Sequence, residues 1–203
     1  MSINVNLLKA CCEVPGISGF EQKVRELITK ELSGCDLSLY TDHMGNLVAL
    51  KKGKNSTEKV MAAAHMDEIG FIVKQIDDNG FLKIHTVGGF DPKTLTAQRV
   101  VVHGSKDLIG VMGSKPIHIM SPEERTKPAQ IHDYFVDLGL PKSEVEKVVE
   151  IGTPITRLSE LLELGECVNC KSIDNRVAVF VLIETLKELN DKEIPFDFYG
   201  VFT

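Results

Sequence analysis

The 203-residue chain has no tryptophan, three tyrosines and nine phenylalanines, and it contains no long apolar run. A membrane-spanning helix needs about 20 consecutive apolar residues, and the N-terminus lacks the basic and apolar regions of a signal peptide. We therefore expect no membrane partner and a cytoplasmic location.

Basic residues are also too few for a nucleic-acid-binding surface. Lysine and arginine number 23 against 29 aspartates and glutamates, for a net charge of −6. A protein that binds nucleic acid neutralises phosphates with a basic patch, and we find no such patch. We expect no nucleic-acid partner.

The composition that remains is that of an ordinary globular protein. Hydrophobic residues make up 43% of the chain and charged residues 26%, which suffices for one good core or two small ones. The five cysteines are an odd number and include the adjacent pair Cys11 and Cys12. This pattern is typical of reduced thiols in a reducing compartment, not of a disulfide framework.

The first 70 residues have the pattern of a helix followed by strands. A capping-box pattern at 18–21 opens a predicted helix over 20–33. Two runs at 37–41 and 47–50 flank a turn that contains glycine and asparagine, and they predict a hairpin. The short, wholly apolar run 60–64 predicts a strand buried on both faces.

The pattern changes twice along the rest of the chain. Short strands separated by glycine-containing turns follow from about Gly70 and are typical of a small β-barrel. Near residue 165 the longer elements return, with a helix over 177–189 that leads into an apolar strand over 196–202. We therefore predict an α/β domain formed by 1–70 and 164–203, interrupted by an inserted all-β domain at 71–163.

A histidine and an aspartate follow the apolar strand 60–64 directly. In open α/β sheets, chemistry collects beyond the carboxyl ends of the strands, where His65 and Asp67 would lie. A neutral imidazole binds a metal ion through one nitrogen and commonly donates its other N–H to a carboxylate. The alternative is a strand-end histidine beside a solvated aspartate, and the spacing alone does not separate the two interpretations.

Asp174 is a second candidate, because it lies at the start of the predicted C-terminal helix. Aspartate at this position is common as a helix N-cap, and a carboxylate there is equally suited to bind metal. The two roles are compatible.

Four stretches resemble one protein family in order and spacing: VPGISGFEQKVREL at 14–27, DHMGNL at 42–47, AAHMDEIGFIV at 63–73 and KSIDNRVAVFVLIETLKEL at 171–189. They are similar to the M42 metalloaminopeptidases, which include glutamyl and tetrahedral aminopeptidases. The resemblance covers nearly the whole chain, and HMDEIGF and DNR are its most specific parts.

The resemblance implies an aminopeptidase-type α/β/α sandwich with a PDZ-like or barrel domain inserted for dimerisation or substrate access. It implies a dinuclear enzyme with Zn²⁺ or Co²⁺, and Mn²⁺ as a further candidate, which removes N-terminal residues from peptides. In that scheme His65 is a metal ligand, Asp67 is a catalytic residue that orients it, and Asp174 bridges both ions. The family also implies homo-oligomers, from dimer to dodecamer.

The family pattern has one part that these 203 residues do not contain. In the family, a tandem Glu-Glu follows the strand that here reads FDFYGVFT and ends at Thr203. From the resemblance we therefore expect an N-terminal portion of such an enzyme, inactive by itself and prone to self-association. The alternatives are a non-catalytic assembly or peptide-binding module, and a related dinuclear metal deacylase.

Other candidate sites are weaker. The Cys167-x-x-Cys170 spacing suits zinc or redox chemistry, but no second pair accompanies it. The remaining histidines lack ligand-like spacing and are most simply solvated or core residues: His43, His85, His103, His118 and His132.

Overall fold

The computed structural model describes residues 3–54 and 57–203. In chain order its helices are α1 (Val5–Glu13), α2 (Gln22–Glu31), α3 (Pro122–Thr126), α4 (Lys142–Val145) and α5 (Ile173–Leu189). Its strands are β1 (Ser38–Thr41), β2 (Leu47–Lys51), β3 (Lys59–Ala64), β4 (Gly70–Ile76), β5 (Leu82–Val87), β6 (Arg99–His103), β7 (Asp107–Ser114), β8 (Tyr134–Asp137), β9 (Pro154–Arg157), β10 (Leu162–Leu164), β11 (Cys167–Asn169) and β12 (Asp197–Phe202).

The chain divides into two compact units. The first is Met1–Glu68 together with Glu160–Thr203, and the second is Ile69–Ser159. The boundaries lie two and four residues earlier than the predicted ones, after Glu68 and Ser159 in place of residues 70 and 163. The predicted α/β fold class with an inserted β-rich part is confirmed.

The first unit contains a four-stranded mixed sheet in the order β1-β2-β12-β3. β1 and β2 form the predicted hairpin, β12 runs antiparallel to β2, and β12 runs parallel to β3. The parallel register pairs Phe202 with Ala64. The carboxyl ends of β3 and β12 therefore lie side by side, immediately before His65.

Helix α5 packs closely against this sheet at Gly200 of β12. A Cβ atom at Gly200 would lie 2.9 Å from Leu186 Cδ1 of α5, a distance that real Cβ atoms do not tolerate without a shift. The core of the unit combines residues of α1, α2, α5 and the sheet, among them Leu7, Val24, Ile28, Leu47, Ile183 and Phe202. A C-terminal helix that leads into an apolar strand is confirmed.

The second unit is a closed barrel with the strand order β4-β5-β8-β7-β6-β9. Its interior is filled by apolar side chains, including Phe71, Leu82, Val100, Val136 and Ile155. Alternating inward apolar residues and glycine-containing turns produce this closure, which leaves no free edge strand. Among residues 3–54 and 57–203, no helix has the length and apolar character to cross a membrane.

Two local predictions in the first unit are wrong. Strand β3 is not buried on both faces: it is an edge strand of the sheet, and the side chains of Val60 and Met61 are 41% and 69% exposed. Ser18 does not cap α2, since the residue at its N-cap is Glu21 and no side chain caps the helix there. The hydroxyl of Ser18 has a different partner, described below.

The exposed edge of β3 leads to a prediction about association. Unpaired strand edges with apolar side chains favour edge-to-edge pairing, and lysine on such an edge opposes it. We expect Met61→Lys to shift the protein toward lower oligomers in sedimentation velocity without lowering the urea midpoint. Met44→Lys is the matched control, because Met44 is 86% exposed in the β1–β2 turn. Equal association of both variants and the wild type would contradict the prediction.

Candidate metal centre

His65 lies directly at the carboxyl ends of the two parallel strands. The pairing of β3 and β12 continues past the strands, with Thr203 N–H donating to Ala64 O at 3.0 Å and Met66 N–H to Thr203 O at 2.6 Å. These two bonds hold the backbone on both sides of His65. Its side chain therefore projects from a fixed position, although it remains 45% exposed.

The imidazole of His65 contacts both predicted carboxylates. Its Nδ1 lies 2.8 Å from Asp67 Oδ1, and its Nε2 lies 3.3 Å from Asp174 Oδ1. A neutral ring that donates its Nδ1 proton to Asp67 leaves the lone pair of Nε2 directed at Asp174. The two facing lone pairs form an arrangement that a metal ion held by both atoms would complete.

The separation between Nε2 and Asp174 Oδ1 fits a shared zinc ion. Zinc lies about 2.0–2.1 Å from histidine nitrogen and about 2.0–2.2 Å from carboxylate oxygen. At a tetrahedral angle these bond lengths place the two ligand atoms roughly 3.3–3.5 Å apart. The observed 3.3 Å agrees with that span.

Asp67 is held on its other side by Ser18, whose hydroxyl donates to Asp67 Oδ2. Partial burial raises the pKa of the Asp67 carboxyl, but the hydrogen bonds from Ser18 and His65 outweigh burial, so its pKa is below the usual value. Asp67 is therefore an anion fixed by two donors. As such, it selects the His65 tautomer with the proton on Nδ1.

Asp174 lies inside the first turn of α5 and not at its N-cap. The residue before the helix is Ser172, whose φ is 62°, while Asp174 and Asn175 depart from helical dihedral angles and are joined by a cis peptide bond. The Asp174 side chain is 95% exposed. Its carboxylate faces His65, and regular helical dihedral angles begin after Asn175, close to the predicted start of the helix.

Residues close in sequence to Asp67 and Asp174 form a buried layer of charged side chains. Glu68 accepts hydrogen bonds from Lys171 Nζ at 2.5 Å, Ser172 Oγ at 2.8 Å and Gly16 N–H at 3.2 Å. The side chains of Glu68 and Lys171 are 2% and 4% exposed. Burial lowers the pKa of the Lys171 ammonium, and the adjacent Glu68 carboxylate opposes this effect.

Arg176 completes the layer and is fully buried. Its guanidinium donates to four backbone carbonyls: Met66 O at 2.5 Å, Cys11 O at 2.6 Å, Val14 O at 2.9 Å and Gly16 O at 3.4 Å. Its Nη2 also lies 3.9 Å from Glu68 Oε1. Arg176 thus joins the end of α1, the loop after it, the strand end and α5.

The structure brings all three predicted site residues together, and it adds five that sequence reasoning missed. Ser18 was assigned to a helix cap, and no role was assigned to Glu68, Lys171, Ser172 or Arg176. For two of them the sequence did contain a signal, which is a charged residue immediately before an apolar run. Glu68 precedes IGFIV, and Arg176 precedes VAVFVLI. Across the described ranges, 3–54 and 57–203, no three or more His, Cys, Asp or Glu side chains are grouped to hold a metal ion.

The cysteine pair of the C-x-x-C motif does not form such a group. Cys167 is exposed in β11, whereas Cys170 is half-buried and packs beside Leu8 and Cys12. Burial raises the pKa of the Cys12 thiol to about 11 and that of Cys11 to about 12. These two thiols are core residues of low reactivity.

Several known proteins that this chain resembles in sequence and architecture are described as aminopeptidases or peptidases. The chain is 32% identical to the lysyl aminopeptidase of Pyrococcus furiosus over 94% of its own length and 56% of that protein. The TET aminopeptidase from Thaumarchaeota archaeon SCGC AB-539-E09 superposes with a TM-score of 0.91 at 33% identity, over 98% of this chain and 57% of that one. The TET1 peptidase of Pyrococcus horikoshii, described as assembling into a tetrahedron or a large octahedral shell, superposes with a TM-score of 0.88 at 32% identity, over 98% of this chain and 60% of that one.

A sequence model of the M42 glutamyl aminopeptidase family matches residues 45–203. The chain belongs to this family. It spans little more than half the length of the relatives that it matches.

The buried guanidinium leads to a stability prediction. Lysine keeps the charge of Arg176, but its three donors share one nitrogen, and it lacks the rigid planar fork of five donors that reaches the four carbonyls from separate nitrogens. We expect Arg176→Lys to lower the free energy of unfolding by about 3–5 kcal/mol, the range for breaking a buried charged network. The measurement is urea unfolding followed by far-ultraviolet circular dichroism.

Arg25→Lys is the control for Arg176→Lys. Arg25 Nη1 donates to one carbonyl, Gly45 O at 3.1 Å, from a partly exposed position. We expect this change to cost less than about 1 kcal/mol. Similar losses for the two variants would show that the multiple carbonyl bonds of Arg176 have no special weight.

The buried thiols lead to a prediction for alkaline pH. Cys11 and Cys12 have folded-state pKa values of about 12 and about 11 against an ordinary 9.0. Their stabilising contribution is complete below pH 9 and is lost as the pH rises toward 11 and 12, because the unfolded chain ionises first. The slope is at most about 1.4 kcal/mol per pH unit for each thiol.

Urea unfolding at a series of pH values measures this slope. The double variant Cys11→Ala, Cys12→Ala serves as the reference, because other groups titrate in the same range. We expect its stability to fall less steeply above pH 9 than that of the wild type. If stability falls with pH equally in the wild type and the double variant, the raised pKa values of Cys11 and Cys12 are refuted.

Proposed function

We propose that this chain supplies part of the dinuclear metal centre of an aminopeptidase that removes N-terminal residues from peptides. The observation that carries the proposal is the contact of His65 Nε2 with Asp174 Oδ1 at 3.3 Å, with Nδ1 bonded to Asp67. Family membership supports the peptidase class.

In this proposal His65 and Asp174 would hold the metal, and the two oxygens of the Asp174 carboxylate would allow it to serve both ions. Asp67 holds His65 in the tautomer that leaves Nε2 free, and it adds negative charge beside a cation. Ser18 holds Asp67 in turn. Imidazole and carboxylate ligands suit Zn²⁺, Co²⁺ or Mn²⁺.

Two ions at such a site polarise the carbonyl of the scissile amide and activate water for attack. The residues described here contribute ligands and charge to that chemistry. A catalytic zinc normally has three protein ligands, while His65 and Asp174 provide two to one ion and one to the other. We therefore propose that these 203 residues bind metal weakly and do not hydrolyse peptides by themselves.

We also propose homo-oligomeric assembly in a reducing, cytoplasmic environment. The assemblies described for the TET1 relative support the first part. Within residues 3–54 and 57–203 none of the five cysteines forms a disulfide, which supports the second.

Metal titration of the purified chain tests the centre. We expect Zn²⁺ or Co²⁺ to bind by isothermal titration calorimetry with fewer than two ions per chain. His65→Ala and Asp174→Ala should each abolish measurable binding, because each removes a ligand. His43→Ala is the control, since His43 lies in the exposed turn between β1 and β2.

Two results would contradict the proposal. Binding that is unchanged in His65→Ala or Asp174→Ala, or absent in the wild type, would show that these residues are not a metal centre. Chelator-sensitive hydrolysis of an aminoacyl-p-nitroanilide by the 203 residues would show that they form a complete enzyme. Cleavage of N-acyl amino acids in place of aminoacyl substrates would indicate a deacylase.

A further inference from the structure

The two proposed ligands are exposed side chains with little packing around them. His65 is 45% exposed and Asp174 is 95% exposed, and they come from segments 109 residues apart. Because an exposed carboxylate is free to adopt several rotamers, its approach to His65 has to be set by the backbone that carries it. What holds the backbone around Asp174 therefore decides how far apart the two ligands lie.

Glu68 makes the contacts that hold the backbone around Asp174. This carboxylate joins both ligand segments, because it lies three residues after His65 and accepts hydrogen bonds from Lys171 and Ser172 at 2.5 Å and 2.8 Å. The backbone N–H of Glu68 also donates to Gly16 O at 2.9 Å, and this bond holds the loop that contains Ser18. One buried side chain thus connects three segments of the first unit.

The connection to Asp174 runs through Ser172, two residues before it. Each residue has only two soft backbone dihedrals, so Asp174 cannot move far while Ser172 is held. Ser172 has a φ of 62°, a conformation that non-glycine residues rarely adopt. Its hydroxyl donates to Glu68 Oε2 at 2.8 Å and its carbonyl accepts from Arg176 N–H at 3.0 Å, so the residue is held at both its side chain and its backbone.

Charge explains why the acceptor is a glutamate. Lys171 and Arg176 are both buried beside Glu68, at 2.5 Å and 3.9 Å from its Oε1. Buried cations require an anion close by. The Glu68 carboxylate therefore neutralises the two buried cations and also holds Ser172.

We propose that Glu68 and Ser172 are positioning residues that set Asp174 against His65. The inference rests on the proposed metal centre for its function, while the geometry it concerns is that of the protein without metal. Neither residue touches the ion or the substrate; both act through the backbone of 172–174.

We call the hydrogen bond between Ser172 and Glu68 the clamp. Ser172→Ala and Ser172→Gly test it, with Ser33→Ala as the matched control. The hydroxyl of Ser33 donates to Lys30 O at 2.8 Å from an exposed position away from the site. Both Ser172 variants lose the bond to Glu68, but only glycine accepts a positive φ without penalty. A role confined to backbone conformation would make the glycine variant behave like the wild type.

Two readouts are measured on the full 203-residue chain. Hydrogen–deuterium exchange reports the amides of 171–175 without metal, and calorimetry reports Zn²⁺ affinity. We expect both Ser172 variants to exchange faster at 171–175, with exchange elsewhere in the first unit unchanged. We expect Zn²⁺ affinity to fall by about 10- to 100-fold, as for other residues that orient ligands, and Ser33→Ala to change neither readout.

Unchanged exchange at 171–175 in both variants would overturn the clamp, and so would unchanged Zn²⁺ affinity. A glycine variant that matches the wild type would overturn the role of the hydroxyl. If the wild type binds no Zn²⁺, the proposed metal centre fails, and the exchange data alone then decide the clamp.

Discussion

The first unit depends on one buried guanidinium. Arg176 donates to carbonyls of four residues that lie 110 to 165 positions away along the chain. Carbonyls at a helix end and in loops need donors when they are buried, because an unpaired one costs free energy comparable to a lost hydrogen bond. A single planar fork of donors satisfies them together, and this requirement fixes where α1, the strand end and α5 meet.

The candidate metal centre consists of a layer of exposed side chains and a layer of buried ones. His65, Asp67 and Asp174 are at least partly exposed. Glu68, Lys171 and Arg176 are almost fully buried. Charged hydrogen bonds are stronger in the low dielectric of the interior than at the surface, so the buried layer gives the exposed layer a defined geometry.

The errors of the sequence-based predictions have specific physical causes. The run 60–64 is wholly apolar, which normally means burial on both faces, but β3 is an edge strand and its exposure depends on its neighbours in the sheet. The Ser18-x-x-Glu21 pattern has the spacing of a capping box, yet the Ser18 hydroxyl donates to Asp67, 49 residues later in the chain. A capping serine accepts from a backbone N–H through its oxygen, whereas Ser18 donates its hydroxyl proton to a distant carboxylate, and local spacing does not show where that carboxylate lies.

The sequence by itself determined the class of fold, the alternation of its two parts, and the three residues His65, Asp67 and Asp174, because periodicity and short motifs are local properties. The family resemblance extended these motifs to an aminopeptidase. Only the tertiary structure decided that His65 lies between the two carboxylates and that Ser18, Glu68, Ser172 and Arg176 hold them. Apart from the pair His65 and Asp67, those contacts join residues that are 49 to 165 positions apart. Their pairing is set by strand register and helix packing, which no short stretch of sequence contains.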